Sequence, residues 1–315
     1  MQKFVVEGGI KLSGEITPSG NKNEALPVLA ATLLAHETVV LHNLPDILDI
    51  SIMRKLLIGL GVTVKQIDTH SYSFDSKKLS STIPDVKLAT LIRGSFLLAG
   101  PLLARKNSID LPAPGGDRIG LRPVHTHLLA LEKLGTCIKK TKKGLYQMRT
   151  TALLGTEIYL DEASVMATEN AIMASVTAKG KTIIYNAACE PHVQGLCHFL
   201  NILGASIEGI GSNLITIEGV RKLSGGNYTI QPDHTEVGSF IGLAAVTKSN
   251  LRIKNAGIKY LRVTSLMFEK LGVKIKIDGE DIIISEKQEL IVKKNVPGGI
   301  PKIDDAPWPG FPADL

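Results

Sequence analysis

The stretch LGVTVK (Leu60–Lys65) puts a leucine at a helix end, then a glycine that stops the helix, then an alternating Val-Thr-Val that opens a strand. The phrase recurs as LGTCIK from Leu134, LGASIE from Leu203 and LGVKIK from Leu271, at spacings of 74, 69 and 68 residues. A second phrase runs ahead of it. ETVVLHNLPD (Glu37–Asp46), KTIIYNAACEP (Lys181–Pro191) and SNLRIKNAG (Ser249–Gly257) each read as a strand, an asparagine and a turn. Each unit of roughly 70 residues therefore reads helix, strand, helix, Leu-Gly and two short strands. Units this long exceed solenoid repeats. They predict a few α/β units packed around shared helices.

The bulk composition agrees. The chain has 315 residues, enough for two domains, and 44% of them are hydrophobic but only 4% aromatic. Aliphatic cores of many short elements suit that mix. A net charge of +6 favours anionic ligands. Scattered lysines argue against nucleic acid, and the densest run, KKTKKG (Lys139–Gly144), reads as a hairpin tip. Cys137, Cys189 and Cys197 show no metal spacing, and Cys189 and Cys197 read as packing thiols. The odd cysteine count and the absence of a leader point to the cytoplasm. The longest apolar run, ALPVLAATLLA (Ala25–Ala35), is too short to span a bilayer.

Each unit's first helix starts behind a polar turn. In TPSGNKNEAL (Thr17–Leu26), Asn23 is the expected cap and Pro27 falls near the first turn; Leu26, Leu29, Ala30, Leu33 and Leu34 form an apolar stripe. Lys22 then stands at the positive end of a helix, an arrangement that calls for an anion. In PGGDRIGLRP (Pro114–Pro123), Gly115 and Gly116 let the backbone approach a ligand, and Pro123 is expected at the first helical position. Arg118 and Arg122 offer bidentate donors to phosphate or carboxylate, with the lone carboxylate Asp117 beside them. In LDEASVMATEN (Leu160–Asn170), Ser164 or Thr168 could cap the next helix. QPDHTEVGSF (Gln231–Phe240) repeats the pattern, and the proline-rich IDDAPWPGFPADL (Ile303–Leu315) presents Asp314 in a stiff turn. Arg93 lies on an apolar segment, either snorkelling or pointing into a charged cavity. There is no Walker loop, HExxH or GxSxG, and GIGSN (Gly209–Asn213) reads as a hairpin turn.

Together SGNKNEALPVLAATLL, PGGDRIGLRPVHTHLLALEKLG, LDEASVMATEN, NAACEP, PDHTEVGSF and DDAPWPGFPADL resemble, in order, phrases of the enolpyruvyl transferases, in the branch that acts on a UDP-linked sugar. The resemblance runs over essentially the whole chain. It implies an α/β fold of two domains, each of three βαβαββ units around buried helices (an inside-out α/β barrel). The crossings would fall near Ser19–Asn21 and Pro232–Asp233. Residues 22–232 would form the complete domain. Residues 1–21 with 233–315 would form a second one, about half of it missing, so this chain is expected to be poorly stable or inactive.

The resemblance also implies a reaction. The enolpyruvyl group of phosphoenolpyruvate moves to the 3′-hydroxyl of UDP-N-acetylglucosamine, and phosphate leaves. The path runs through a tetrahedral ketal with no metal or organic cofactor, as the first committed step of peptidoglycan synthesis. On matching motifs, Lys22 and Arg122 would hold the phosphate of phosphoenolpyruvate. Asn23, Arg93, Arg122, Pro123, Val124, His125, Thr126, Glu162, Ala163, Ser164 and Val165 would bind the nucleotide sugar. Asp314 would take the 3′-hydroxyl proton. Asp117 stands where most of the family has cysteine, the proton donor to the methylene carbon and the point attacked by the epoxide fosfomycin, which predicts insensitivity to that drug. His125, Thr126 and His234 are further departures. Two alternatives stand beside this reading: the shikimate-pathway transferase and a non-catalytic binder of UDP-sugar.

Overall fold

The computed structural model describes residues 3–116, 122–292 and 302–315. Strand β1 (Ser13–Ile16) precedes α1 (Lys22–Ala31), β2 (Val39–His42), α2 (Leu48–Gly59), β3 (Thr63–Asp68) and β4 (Ser71–Asp75). A short α3 (Val86–Ala89) and a 3-10 helix (Arg93–Leu98) lead into α4 (Ala99–Lys106), β5 (Ser108–Pro112), α5 (His125–Lys133), β6 (Cys137–Lys140) and β7 (Leu145–Arg149). Then come β8 (Glu157–Tyr159), α6 (Val165–Ser175), β9 (Lys181–Tyr185), α7 (Pro191–Ile202), β10 (Ser206–Glu208), β11 (Leu214–Glu218) and β12 (Gly226–Thr229). The last run is α8 (His234–Val246), β13 (Asn250–Ile253), α9 (Arg262–Lys270), β14 (Ile275–Asp278) and β15 (Asp281–Ile284). The chain divides into two compact units, Gly20–Gln231 and Met1–Ser19 with Pro232–Leu315.

The Leu-Gly phrases do the same work four times. Gly61, Gly135, Gly204 and Gly272 all take positive φ, between 86 and 101°. The N–H after each glycine reaches back to close a Schellman turn: Val62 to Leu57, Thr136 to Leu131, Ala205 to Leu200 and Val273 to Phe268, all at 3.0–3.1 Å. The recurring asparagines have an equally specific cause. Asn43, Asn186 and Asn255 adopt left-handed φ of 48–57° at the strand ends. The amides of Asn43 and Asn186 also donate to the Ile230 and Leu160 carbonyls at 2.9 Å, tying the turn to the neighbouring parallel strand.

These caps give a stability test. A Cβ on Gly204 would meet nothing within 4 Å, so Gly204→Ala isolates the dihedral penalty. It costs about 1–2 kcal/mol. A Cβ on Gly61 would lie 2.6 Å from Ser80 Oγ and 2.7 Å from the Lys78 carbonyl, so Gly61→Ala costs more. Urea midpoints of the two variants read the difference.

The unit Gly20–Gln231 holds sheets ordered β12-β2-β4-β3, β5-β7-β6 and β10-β11-β9-β8. Within it β12 pairs with β2 and β8 with β9 in parallel; the other pairings are antiparallel. Helices lie inside and sheets outside, and among the described residues each sheet is a separate open ladder rather than part of a closed barrel. The amphipathic stripe expected on α1 is wider than its spacing suggested: every residue from Glu24 to Ala31 is buried. Helix α6 is likewise buried from Ala167 to Ser175. A helix covered on all sides shows no polar face in sequence.

The other unit has one sheet, β1-β13-β15-β14, with β1 parallel to β13. Its core gathers Val237, Ile241, Ala244 and Ala245 of α8 against Ile253, Ile282 and Ile284. Trp308 packs edge-on against His234 and Tyr260, and Leu315 fills the space beside Gly238, where a Cβ would lie 2.5 Å from Leu315 Cδ1. Two strands thus serve partners far away in sequence. Strand β1 completes the sheet of β13, and β12 completes the sheet of β2.

Candidate functional site

Helix α1 begins with Lys22 at its first position. Its cap is Asn21, not Asn23: the buried Asn21 side chain accepts the Glu24 N–H at 3.1 Å. Asn23 and Lys22 are exposed on the first turn. One turn on from Lys22, along the same helix face, Leu26 lies against Gly94, where a Cβ would meet its Cδ1 at 3.1 Å. Arg93 is the next residue, at the start of the 3-10 helix.

The half-buried Arg93 is engaged with backbone. Its Nη1 donates to the Arg122 carbonyl at 2.9 Å and its Nη2 to the Pro123 carbonyl at 3.3 Å. The glycine pair before them packs onto the same segment. A Cβ on Gly115 would fall 1.7 Å from the Thr90 carbonyl, and one on Gly116, with φ of 93°, would fall 3.2 Å from Arg93 Cβ. What the Gly-Gly backbone approaches is therefore the Thr90–Arg93 turn. Helix α5 starts at His125, with Val124 as its cap residue, so Pro123 precedes the helix instead of occupying its first position.

The third turn meets this one. Thr126 Oγ1 donates to Asp161 Oδ1 at 2.7 Å and lies 3.3 Å from Glu162 Oε1. His125 Nε2 lies 2.9 Å from Asp161 Oδ2. The Thr126 hydroxyl, aided by His125, holds the Asp161 carboxyl below its ordinary range. Ser164 occupies the α6 cap position without a side-chain cap bond. Thr168 lies inside the helix, donating to the Ser164 carbonyl at 2.8 Å and accepting the Ala188 N–H at 3.0 Å. Burial and the neighbouring Arg122 charge push the Arg93 guanidinium down, against the pull of Glu162. Positive charge is thus crowded beside backbone that Arg93 itself fixes. Such a place suits an anionic ligand.

The structure brings together Arg93, Arg122, Pro123, His125, Thr126 and Glu162, with Ala163 and Val165 continuing the same turn. Asp314 is exposed in the other unit, where its charge acts on His234. Asp117 and Arg118 lie outside the described residues. Among the described residues no group of three or more His, Cys, Asp or Glu side chains gathers as metal ligands, and no helix is long and apolar enough to cross a membrane.

Two contributors escaped the sequence reading. Asp161 adjoins Glu162 in the same turn, and only its pairing with His125 reveals it. The other is His127, buried under the site. Asn170 Oδ1 accepts the Gly100 N–H at 2.8 Å, which orients Asn170 Nδ2 toward the Phe96 carbonyl and toward His127 Nδ1, both at 2.9 Å. On this network Nδ1 accepts, so the ring is neutral with its proton on Nε2. Burial above all, with the charges of Arg93 and His125, pushes His127 down from 6.5 to about 3. The unfolded chain therefore binds a proton below 6.5 that the folded chain refuses until about 3. Stability contributed by this group is complete above that window and falls as pH drops through it, by up to about 1.4 kcal/mol per pH unit. His127→Gln flattens the slope by one proton, as urea titrations between pH 7 and 4 would read.

The profile of the family described as EPSP synthase (3-phosphoshikimate 1-carboxyvinyltransferase) matches residues 6–315. The chain belongs to the EPSP synthase family. Two curated members of similar sequence are named UDP-N-acetylglucosamine 1-carboxyvinyltransferase. That of Bradyrhizobium diazoefficiens is 48% identical over 313 residues, covering 99% of this chain and 72% of the relative. That of Treponema denticola is 48% identical over 316 residues, covering 100% and 74%. Among solved members of like fold, the enolpyruvyl transferase NikO from Streptomyces tendae superposes with a TM-score of 0.79 at 21% identity, covering 88% of this chain and 66% of that one. EPSP synthase from Acinetobacter baumannii gives 0.71 at 20%, covering 89% and 66%. The chain thus spans 66% of the length of these two solved chains and 72–74% of that of the two curated relatives.

Proposed function

We propose that the chain transfers the enolpyruvyl group of phosphoenolpyruvate to the 3′-hydroxyl of UDP-N-acetylglucosamine and releases phosphate, without metal or organic cofactor. It would thereby serve the first committed step of peptidoglycan synthesis in the cytoplasm. The reading takes residues 22–232 as one domain and 1–21 with 233–315 as part of a second. Lys22 and Arg122 hold the phosphate of phosphoenolpyruvate. Asn23, Arg93, Arg122–Thr126 and Glu162–Val165 bind the nucleotide sugar. Asp314 takes the 3′-hydroxyl proton as the oxygen adds to C2 of phosphoenolpyruvate, and Asp117 gives a proton to C3. Elimination then returns the C3 proton and expels phosphate, leaving the enol ether.

The observation that carries this reading is the Arg93 fork on the Arg122 and Pro123 carbonyls, which holds one guanidinium within reach of the charges of Arg122 and Glu162. The names of the curated relatives favour the nucleotide sugar as acceptor. The family's own description favours shikimate 3-phosphate, which keeps that substrate as the second reading. Calorimetric titration with UDP-N-acetylglucosamine, followed by phosphate release with phosphoenolpyruvate and either acceptor, separates them. Binding and turnover with the nucleotide sugar are expected. Turnover with shikimate 3-phosphate alone would reverse the assignment, and binding without turnover would make the chain a sugar-nucleotide binder.

A further inference from the structure

Glu24 is the third residue of α1, two positions after Lys22, and only 1% exposed. Its carboxyl group is held from three sides. The Tyr228 hydroxyl of β12 donates to Oε1 at 2.8 Å and lies 3.1 Å from the Gly195 carbonyl of α7. The Gln231 N–H donates to the same Oε1 at 3.3 Å. Gly195 leaves the room: a Cβ there would fall 2.5 Å from Glu24 Cδ.

Gln231 is the last residue of its unit, where the chain crosses to the other. The first turn of α1 grips it by both backbone groups. Asn21 N–H donates to the Gln231 carbonyl at 2.8 Å while Glu24 accepts the Gln231 N–H. The same turn carries Lys22 and Asn23, both exposed. We infer that Glu24 is a positioning residue: through Tyr228 and Gln231 it fixes the first turn of α1 to β12 and the segment that follows it, and so sets where Lys22 presents its charge. This rests on the proposed role of Lys22 toward the phosphate of phosphoenolpyruvate.

The environment makes the clamp sensitive to pH. Burial pushes the Glu24 carboxyl up to about 7, against the hydrogen bonds from Tyr228 and Gln231, which pull it down. Tyr228 is the titratable group that faces it. Of the others on elements packed against α1, namely His192, Cys197 and His198 on α7, Glu169 on α6, Asp49, Arg54 and Lys55 on α2 and Arg93 on the 3-10 helix, none is among the groups that shift it. An ionised carboxylate is the stronger acceptor. The clamp therefore tightens as pH rises through about 7 and slackens below it.

The test uses the full chain with Glu24→Ala, Glu24→Gln and Tyr228→Phe. Amide hydrogen exchange is read at Lys22–Leu26 and at Gln231. Exchange about tenfold faster in Glu24→Ala, at those amides and not across the α7 interior, is expected for one lost charge-assisted hydrogen bond. Tyr228→Phe gives a smaller increase, and Glu24→Gln, which keeps the acceptor, restores protection and removes its dependence on pH. In turnover, Glu24→Ala raises KM for phosphoenolpyruvate about tenfold with kcat within about twofold. The KM of the unsubstituted chain rises relative to Glu24→Gln as pH falls through 7, a comparison in which ionisation of the substrate cancels. Unchanged protection at Gln231 in Glu24→Ala, or matching pH profiles for Glu24→Gln and the unsubstituted chain, overturns the inference. Exchange does not depend on turnover. A chain that shows the exchange effect but no phosphoenolpyruvate binding would sink the functional reading and leave the clamp standing.

Discussion

Arg93→Ala weakens UDP-N-acetylglucosamine binding about 100-fold, and Arg93→Lys fails to restore it. The argument starts from the fork geometry. Two nitrogens of one planar guanidinium reach two consecutive carbonyls, those of Arg122 and Pro123. A lysine offers a point charge on a flexible stem and cannot span both. Without the fork the turn entering α5 loses its anchor, and with it the placement of Arg122, His125 and Thr126. Loss of the Arg93 charge beside the ligand, together with the cost of re-ordering the freed turn on binding, comes to about 3 kcal/mol, which is the loss expected in binding. Arg93 is half-exposed, so stability changes by no more than about 1 kcal/mol. Calorimetry gives the affinity, and urea midpoints exclude unfolding as its cause. An Arg93→Ala chain that binds the nucleotide sugar normally would remove this residue from the site.

Asp117→Cys converts a chain that forms no adduct with fosfomycin into one that forms a covalent adduct in the presence of UDP-N-acetylglucosamine. A thiolate is a strong nucleophile toward an epoxide; a carboxylate is a far weaker one, and the proposed role requires Asp117 to be protonated when substrates are bound. Arg122 and Arg118 would favour the ionised form, whereas two bound phosphorylated substrates and exclusion of water would favour the neutral acid. The reading holds that the substrates prevail. Intact-mass measurement after exposure to the drug counts the adduct directly, without need of turnover. Adduct on the unsubstituted chain, or none on Asp117→Cys, would contradict the assignment of this position.

The repeat was legible because its punctuation is local. A glycine forced to positive φ after each unit's second helix, and an asparagine forced to left-handed φ after β2, β9 and β13, leave marks that need no tertiary knowledge. Cap and turn details were less legible. Asn21 and Asn23 are equally good caps by type, and only the Glu24 N–H decides for Asn21. Pro123 looked like a first helical residue because proline suits that place, but Arg93 holds its carbonyl outside the helix. Burial of α1 on all sides was hidden for a simpler reason: a helix with neighbours everywhere has no period to detect. Asp161, His127 and Glu24 act through partners 35, 43 and 204 residues away, and no short motif encodes such distances.

The parallel pairing of β1 with β13 sets an order of events during synthesis. Ser13 leaves the ribosome early, yet its partner in the ladder is Asn250, and the adjoining Leu12 N–H waits for Ser249 Oγ, 237 positions later. At about 5–20 residues translated per second, the first strand stays unpaired for roughly ten seconds to most of a minute. Meanwhile the segment between, a unit with its own core, can close upon itself. A nascent chain arrested before residue 250 would then carry a folded middle and a dangling start, and protease should clip it there first.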